Sequence, residues 1–93
     1  MLFNANQREI LIAFLQESLK NKPNYERNCD FKTLNMPHNE YGYAFKELYG
    51  QGLIYLSDSK QIVEGGDNNP PLMIILADAR LTSNGRVVAE SLQ

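Results

Sequence analysis

The sequence predicts an α+β fold in a single domain covering residues 1–93. Two stretches, Ile10 to Leu15 and Tyr41 to Leu48, repeat apolar residues at helical spacing. Two others, Leu53 to Leu56 and Leu72 to Leu76, are short apolar runs bounded by turn formers, as strands are. With 43% apolar and 22% charged residues of nearly balanced sign, the chain can build one core and has no room for a second. The expected order is three helices, a β-hairpin and a C-terminal helix.

The first helix is expected from about Asn6 to Lys20. Asn6 with Glu9 three residues on forms a capping pair, and Asn4 with Gln7 is the competing pair. Lys20 and Lys22 put positive charge at the C-terminal end, and Pro23 marks the stop. At 100° per residue Ile10, Leu11, Phe14 and Leu15 form one arc, which Ile12 and Leu19 widen beyond an ordinary core-facing stripe. Either the rest of the domain wraps this helix, or Ile12 and Leu19 belong to a subunit contact.

Between Tyr25 and Met36, Asp30 suits the cap of a short helix carrying Phe31 and Leu34. The next helix runs from Pro37 to Tyr49 or Gly50, with Tyr41, Ala44, Phe45 and Leu48 inward; Gly50 and Gly52 end it. Leu53–Leu56 follows as a strand that Ile62 and Val63 either continue or follow with another. Gly65 to Pro71 concentrates turn formers and Leu72–Leu76 is the returning strand, which makes a hairpin with a long polar tip. For the last segment a hairpin turn at Asn84-Gly85 competes with a helix capped by Thr82. The recurrence of Leu81, Gly85, Val88 and Leu92 selects the helix, with Gly85 allowing close approach to a neighbour.

This order resembles the winged helix, the helix-turn-helix variant whose hairpin forms a wing. The residues that carry the resemblance are Tyr41 through Ile54, a third helix ending in Gly and stepping into a strand, and Leu81-Thr82-Ser83-Asn84-Gly85, similar to the superfamily's frequent Leu-Thr-x-x-Gly entry to the closing helix. Together they span about half the chain. Within the superfamily the size and both landmarks are similar to the small YjcQ-like proteins of Gram-positive bacteria and their phages. The resemblance implies a DNA-associated or regulatory module whose third helix is the reader.

On that helix the outward row is Asn39, Tyr43, Lys46, Glu47 and Gly50. Asn39 suits an adenine edge, while Tyr43 and Lys46 suit phosphates. Charge argues the other way, because duplex affinity draws on several Lys and Arg contacts and the chain has 9 Lys+Arg against 11 Asp+Glu. The wing would carry Lys60 against Asp58, Glu64 and Asp67; Arg27, Lys32, Lys46 and Lys60 are the cations available for a local patch. The alternative is a protein-interaction or self-association module with the same fold, for which Tyr43 is the best-placed aromatic contact.

An enzyme is the weakest reading. His38 is the only His and Cys29 the only Cys, so a zinc ligand set is missing and no disulfide can form within the chain. Cys29 reads as a small buried thiol. Gly65-Gly66 lacks the Lys-Ser/Thr of a phosphate loop, and Asp67, Asn68 and Asn69 lack the spacing and terminal Glu of a calcium loop. No cofactor or metal is expected. Glu9, Gln16 and Glu17 bracket the apolar stretch at the amino end with no basic region before it, against a secretory signal, and no apolar run approaches the roughly 20 residues that span a bilayer. The expectation is a soluble cytoplasmic protein without a membrane partner.

Overall fold

The computed structural model describes residues 2–93. Among the described residues are four α-helices, α1 (Ala5–Ser18), α2 (Tyr25–Asn28), α3 (His38–Gly50) and α4 (Ser83–Ser91), and four short strands, β1 (Ile54–Tyr55), β2 (Ile62–Val63), β3 (Met73–Ile74) and β4 (Arg80–Leu81). The α+β expectation holds.

α1 is the central element, touching α2, α3, β4 and α4. Its arc of Ile10, Leu11, Phe14 and Leu15 is buried as the periodicity predicts. Phe14 stacks on Tyr25 at 5.1 Å between ring centroids and meets Phe45 at 6.1 Å, so one side chain joins three helices. The start of α1 corrects the sequence reading. Asn4 is the cap, its Oδ1 accepting from the Gln7 N–H at 2.8 Å while Gln7 Oε1 accepts from the Asn4 N–H at 3.0 Å, and Asn6 lies inside the first turn.

The end of α1 comes before Lys20, for a reason in Glu17. This carboxylate, 2% exposed, accepts from the Asn24 N–H at 2.7 Å and Asn28 Nδ2 at 3.0 Å, and Lys20 Nζ lies 2.8 Å away. The chain therefore folds back to bring α2 onto it. Lys20 serves this latch and does not sit in the last helical turn. The short helix also falls earlier than expected. Asn24 caps it, whereas Asp30 organises the turn that follows, accepting from the Thr33 N–H at 2.8 Å. Phe31 and Leu34 still pack against the core from that turn.

α3 buries Tyr41, Ala44, Phe45 and Leu48, as expected, with Pro37 at its N-cap. Only Gly52, at φ +74, needs a left-handed backbone after it; Gly50 is the last helical residue.

The hairpin has two ladders. β2 pairs with β3 (Ile62↔Ile74, Val63↔Met73) and carries the polar tip at its outer end. β1 pairs with β4 (Ile54↔Leu81, Tyr55↔Arg80) and not with the Leu72–Leu76 run. Both registers belong to one antiparallel ribbon interrupted by residues 56–61 on one arm and 75–79 on the other. The break is held by Asp58, which caps the 3-10 turn Ser59–Gln61, and by Gln61, whose Nε2 donates to Ile75 O at 2.9 Å and Asp78 Oδ1 at 2.7 Å. The first arm has one residue more across the break than the second, so the register shifts by one between the two ladders.

At the root, Thr82 caps α4, accepting from the Gly85 N–H at 2.9 Å and donating its hydroxyl to Gly52 O at 2.6 Å. Gly85 packs so closely that a Cβ there would overlap the Leu53 carbonyl. Helix was the right reading of this segment.

Two outcomes follow. Gly to Ala inside a helix ordinarily stabilises by about 1 kcal/mol, but Gly85→Ala is expected to destabilise by about 1–3 kcal/mol through the clash with backbone; chemical denaturation decides the sign. The hydrogen bond from the Asn24 N–H, then those from Lys20 and Asn28, hold Glu17 down from 4.5 to about 2 against the opposing effect of burial. A depressed carboxylate stabilises the fold above its unfolded value and loses that contribution as pH falls through the folded one. The melting-temperature gap between the parent and Glu17→Gln is thus expected to be full above pH 4.5 and to shrink toward pH 2; a pH-independent gap refutes the assignment.

Candidate interaction surface

The outward row of α3 is where the sequence places a reader face, and Asn39, Tyr43, Lys46 and Glu47 are indeed exposed. The ribbon tip touches this row at two points and leaves it exposed. Lys46 Nζ pairs with Glu64 Oε2 at 2.8 Å, and the Tyr43 hydroxyl donates to Asn68 O at 3.2 Å. Pro71 rests against Gly42, where an added Cβ would come within 3.1 Å of Pro71 Cδ. Glu47, the residue that opposes phosphate in this row, has a structural partner: buried Gln7 donates to it through Nε2 at 2.6 Å, tying α1 to α3.

The four cations available for a basic patch stand on four different elements. Arg27 is in α2, Lys32 lies over the Phe31 ring at 5.9 Å in the following turn, Lys46 is on α3 and held by Glu64, and Lys60 is exposed in the 3-10 turn. Asn39 is exposed at the start of α3. Of the two residues weighed for a subunit contact, Ile12 is half-buried and Leu19 is 66% exposed just past the end of α1, so the domain does not wrap Leu19.

Cys29 is fully buried, and burial, reinforced by Glu17, pushes its thiol up to about 12. Its carbonyl accepts from the Tyr41 hydroxyl at 2.6 Å; that phenol is likewise raised, chiefly by burial. His38 meets the edge of Phe31 at 4.8 Å. Among the described residues no group of three or more His, Cys, Asp or Glu could hold a metal ion, and no helix is long and apolar enough to cross a membrane.

Beside α3 lies a groove of about 390 Å³ that sequence reasoning did not find. One wall is the returning arm, Pro71–Leu76; the other is Phe31, His38 and Tyr41, with Glu26 and Asp30 also lining it. Leu72, Met73 and Ile75 are 66%, 55% and 41% exposed. An uninterrupted apolar run has no period from which to read a solvent face, so nothing in residues 72–76 foretold this exposure.

Comparison with protein-family models, with curated proteins and with solved structures finds no match.

Lys46 and Glu64 are each about half exposed (49% and 52%). A double-mutant cycle with Lys46→Ala and Glu64→Ala is expected to give a coupling below about 1 kcal/mol that fades in high salt. A larger, salt-insensitive coupling would contradict this account of the contact.

Proposed function

We propose that the chain is a winged-helix-type module that works through protein contacts and not through duplex DNA. In this reading α3 corresponds to the reader helix, the two-ladder ribbon to the wing and α4 to the closing helix. The observation that carries it is the Lys46–Glu64 pair together with the Tyr43–Asn68 contact, which lay the ribbon tip along the outward row of α3. A reader helix needs that row open to a groove and its cation free for phosphate. Here the cation stands half-exposed beside the Glu64 carboxylate, which an incoming phosphate would have to displace, and Asp67 adds a further carboxylate to the tip.

Non-specific duplex binding also draws on several released counterions. Lys46 is the one Lys or Arg on α3, in a chain of net charge −2. Apolar surface is exposed instead on the returning arm. The role in this reading is that of an interaction domain.

Fluorescence anisotropy with a random-sequence duplex across a salt gradient tests the reading. The folded protein is expected to show no binding even at low salt. Saturable binding whose salt slope flattens by about one unit in Lys46→Glu would restore the DNA role, since that is the signature of a lost phosphate contact.

A further inference from the structure

We infer that the groove beside β3 is a strand-addition site for an extended peptide in which apolar residues alternate with Lys or Arg. This deepens the protein-contact reading and rests on it. The first observation is the wall itself. Every residue from Pro71 to Leu76 lines the groove and no residue of β2 does, so the edge of β3 away from its partner faces the opening. Such an edge presents backbone donors and acceptors to an incoming chain.

The second observation is the absence of charge along this edge. Edges are guarded by charge, by shortness or by proline; β3, two residues long and just after Pro70-Pro71, has the last two devices and lacks the first. Between Pro70 and Leu76 the chain has no charged residue, and Leu72, Met73 and Ile75 stand in solvent. An added strand would cover these side chains while its backbone paired with β3.

The third observation selects the occupant. Glu26 and Asp30 line the same groove, and neither belongs to the two ion pairs found among the described residues, Lys20–Glu17 and Lys46–Glu64. The only basic side chain among the lining residues is His38. A cationic residue on the incoming segment therefore meets uncompensated carboxylates, which favours a basic partner and steers its approach. A second copy of the chain fits less well. It would bring its own α2–α3 wall along with its β3 edge, and would set its Glu26 and Asp30 beside these.

The test uses the full ¹⁵N-labelled chain at pH 8 and a synthetic eight-residue peptide, blocked at both ends, of alternating valine and lysine. Saturable amide shifts are expected at Leu72–Leu76, Phe31, His38 and Tyr41. Two control peptides are expected to bind at least tenfold more weakly: one with glutamate for lysine, and one with proline for alternate residues, which removes N–H donors. Glu26→Lys, an exposed α2 substitution, should weaken the lysine peptide about three- to fivefold while leaving the spectrum folded. Met73→Asp should weaken it through loss of apolar cover.

Absence of saturable shifts at 72–76, equal binding of the glutamate peptide, or equal binding of the proline peptide overturns the inference. Concentration-dependent shifts at 72–76 without any peptide assign the edge to a second copy and also overturn it. The duplex titration reads a different face. If neither duplex nor peptide binds, the groove assignment falls and the protein-contact role stands; if duplex binds, that role falls whatever the peptide does.

Discussion

The close seat of Gly85 against the Leu53 backbone is the constraint on which the architecture turns. Leu53 O accepts from the Thr82 N–H at 3.1 Å, and the absence of a side chain at Gly85 lets the first turn of α4 rest on the same peptide. Thr82 adds its hydroxyl to Gly52 O. The two ends of the ribbon are thus clamped where α3 hands over to β1, and the direction of the ribbon is set at its root. From that root the tip reaches back across α3, which is what brings Glu64 to Lys46 and Pro71 to Gly42. The alternative of a tight hairpin at Asn84-Gly85 would have dissolved this clamp and freed both arms.

Much of the fold was legible because local signals agreed with the tertiary outcome. The arc of Ile10, Leu11, Phe14 and Leu15, the inner face of α3, and the Thr82 cap all follow from period and capping chemistry, and each is where it was expected. The misses share another cause. Asn6 and Asp30 are both competent caps, yet Asn4 gained a reciprocal partner in Gln7 that Glu47 also holds, and Asn24 gained the Glu17 carboxylate. In the first case Gln7 is held by Glu47, 40 residues away, and in the second Asn24 by Glu17, seven residues back, so a contact outside the capping pair itself accompanies each choice.

The surface was harder to read, for the same reason made stronger. Residue types correctly placed Asn39, Tyr43 and Lys46 outside. That Lys46 would be met by Glu64 depends on ribbon direction, which no local rule supplies. The exposure of Leu72, Met73 and Ile75 is a similar case: the run specifies extended chain, while its distance from the core depends on how the ribbon leaves α3. Glu17 shows the opposite sense of the effect. A carboxylate, a group seldom fully buried, is buried here with three donors converging on it.

The interruption of the ribbon gives the arm two pieces of unequal anchorage. The inner ladder, β1 with β4, is bolted to α4 and α1. The outer one, β2 with β3, spans two residue pairs; it puts Ile62 into the core and Ile74 against it, and adds the Gln61 clasp and two half-exposed contacts with α3. So short a ladder has little stability of its own. Its hold on the body therefore comes from side chains, and any bending at the knuckle, residues 56–61 and 75–79, would have to lift Ile62 and Ile74 from the core and Pro71 from Gly42.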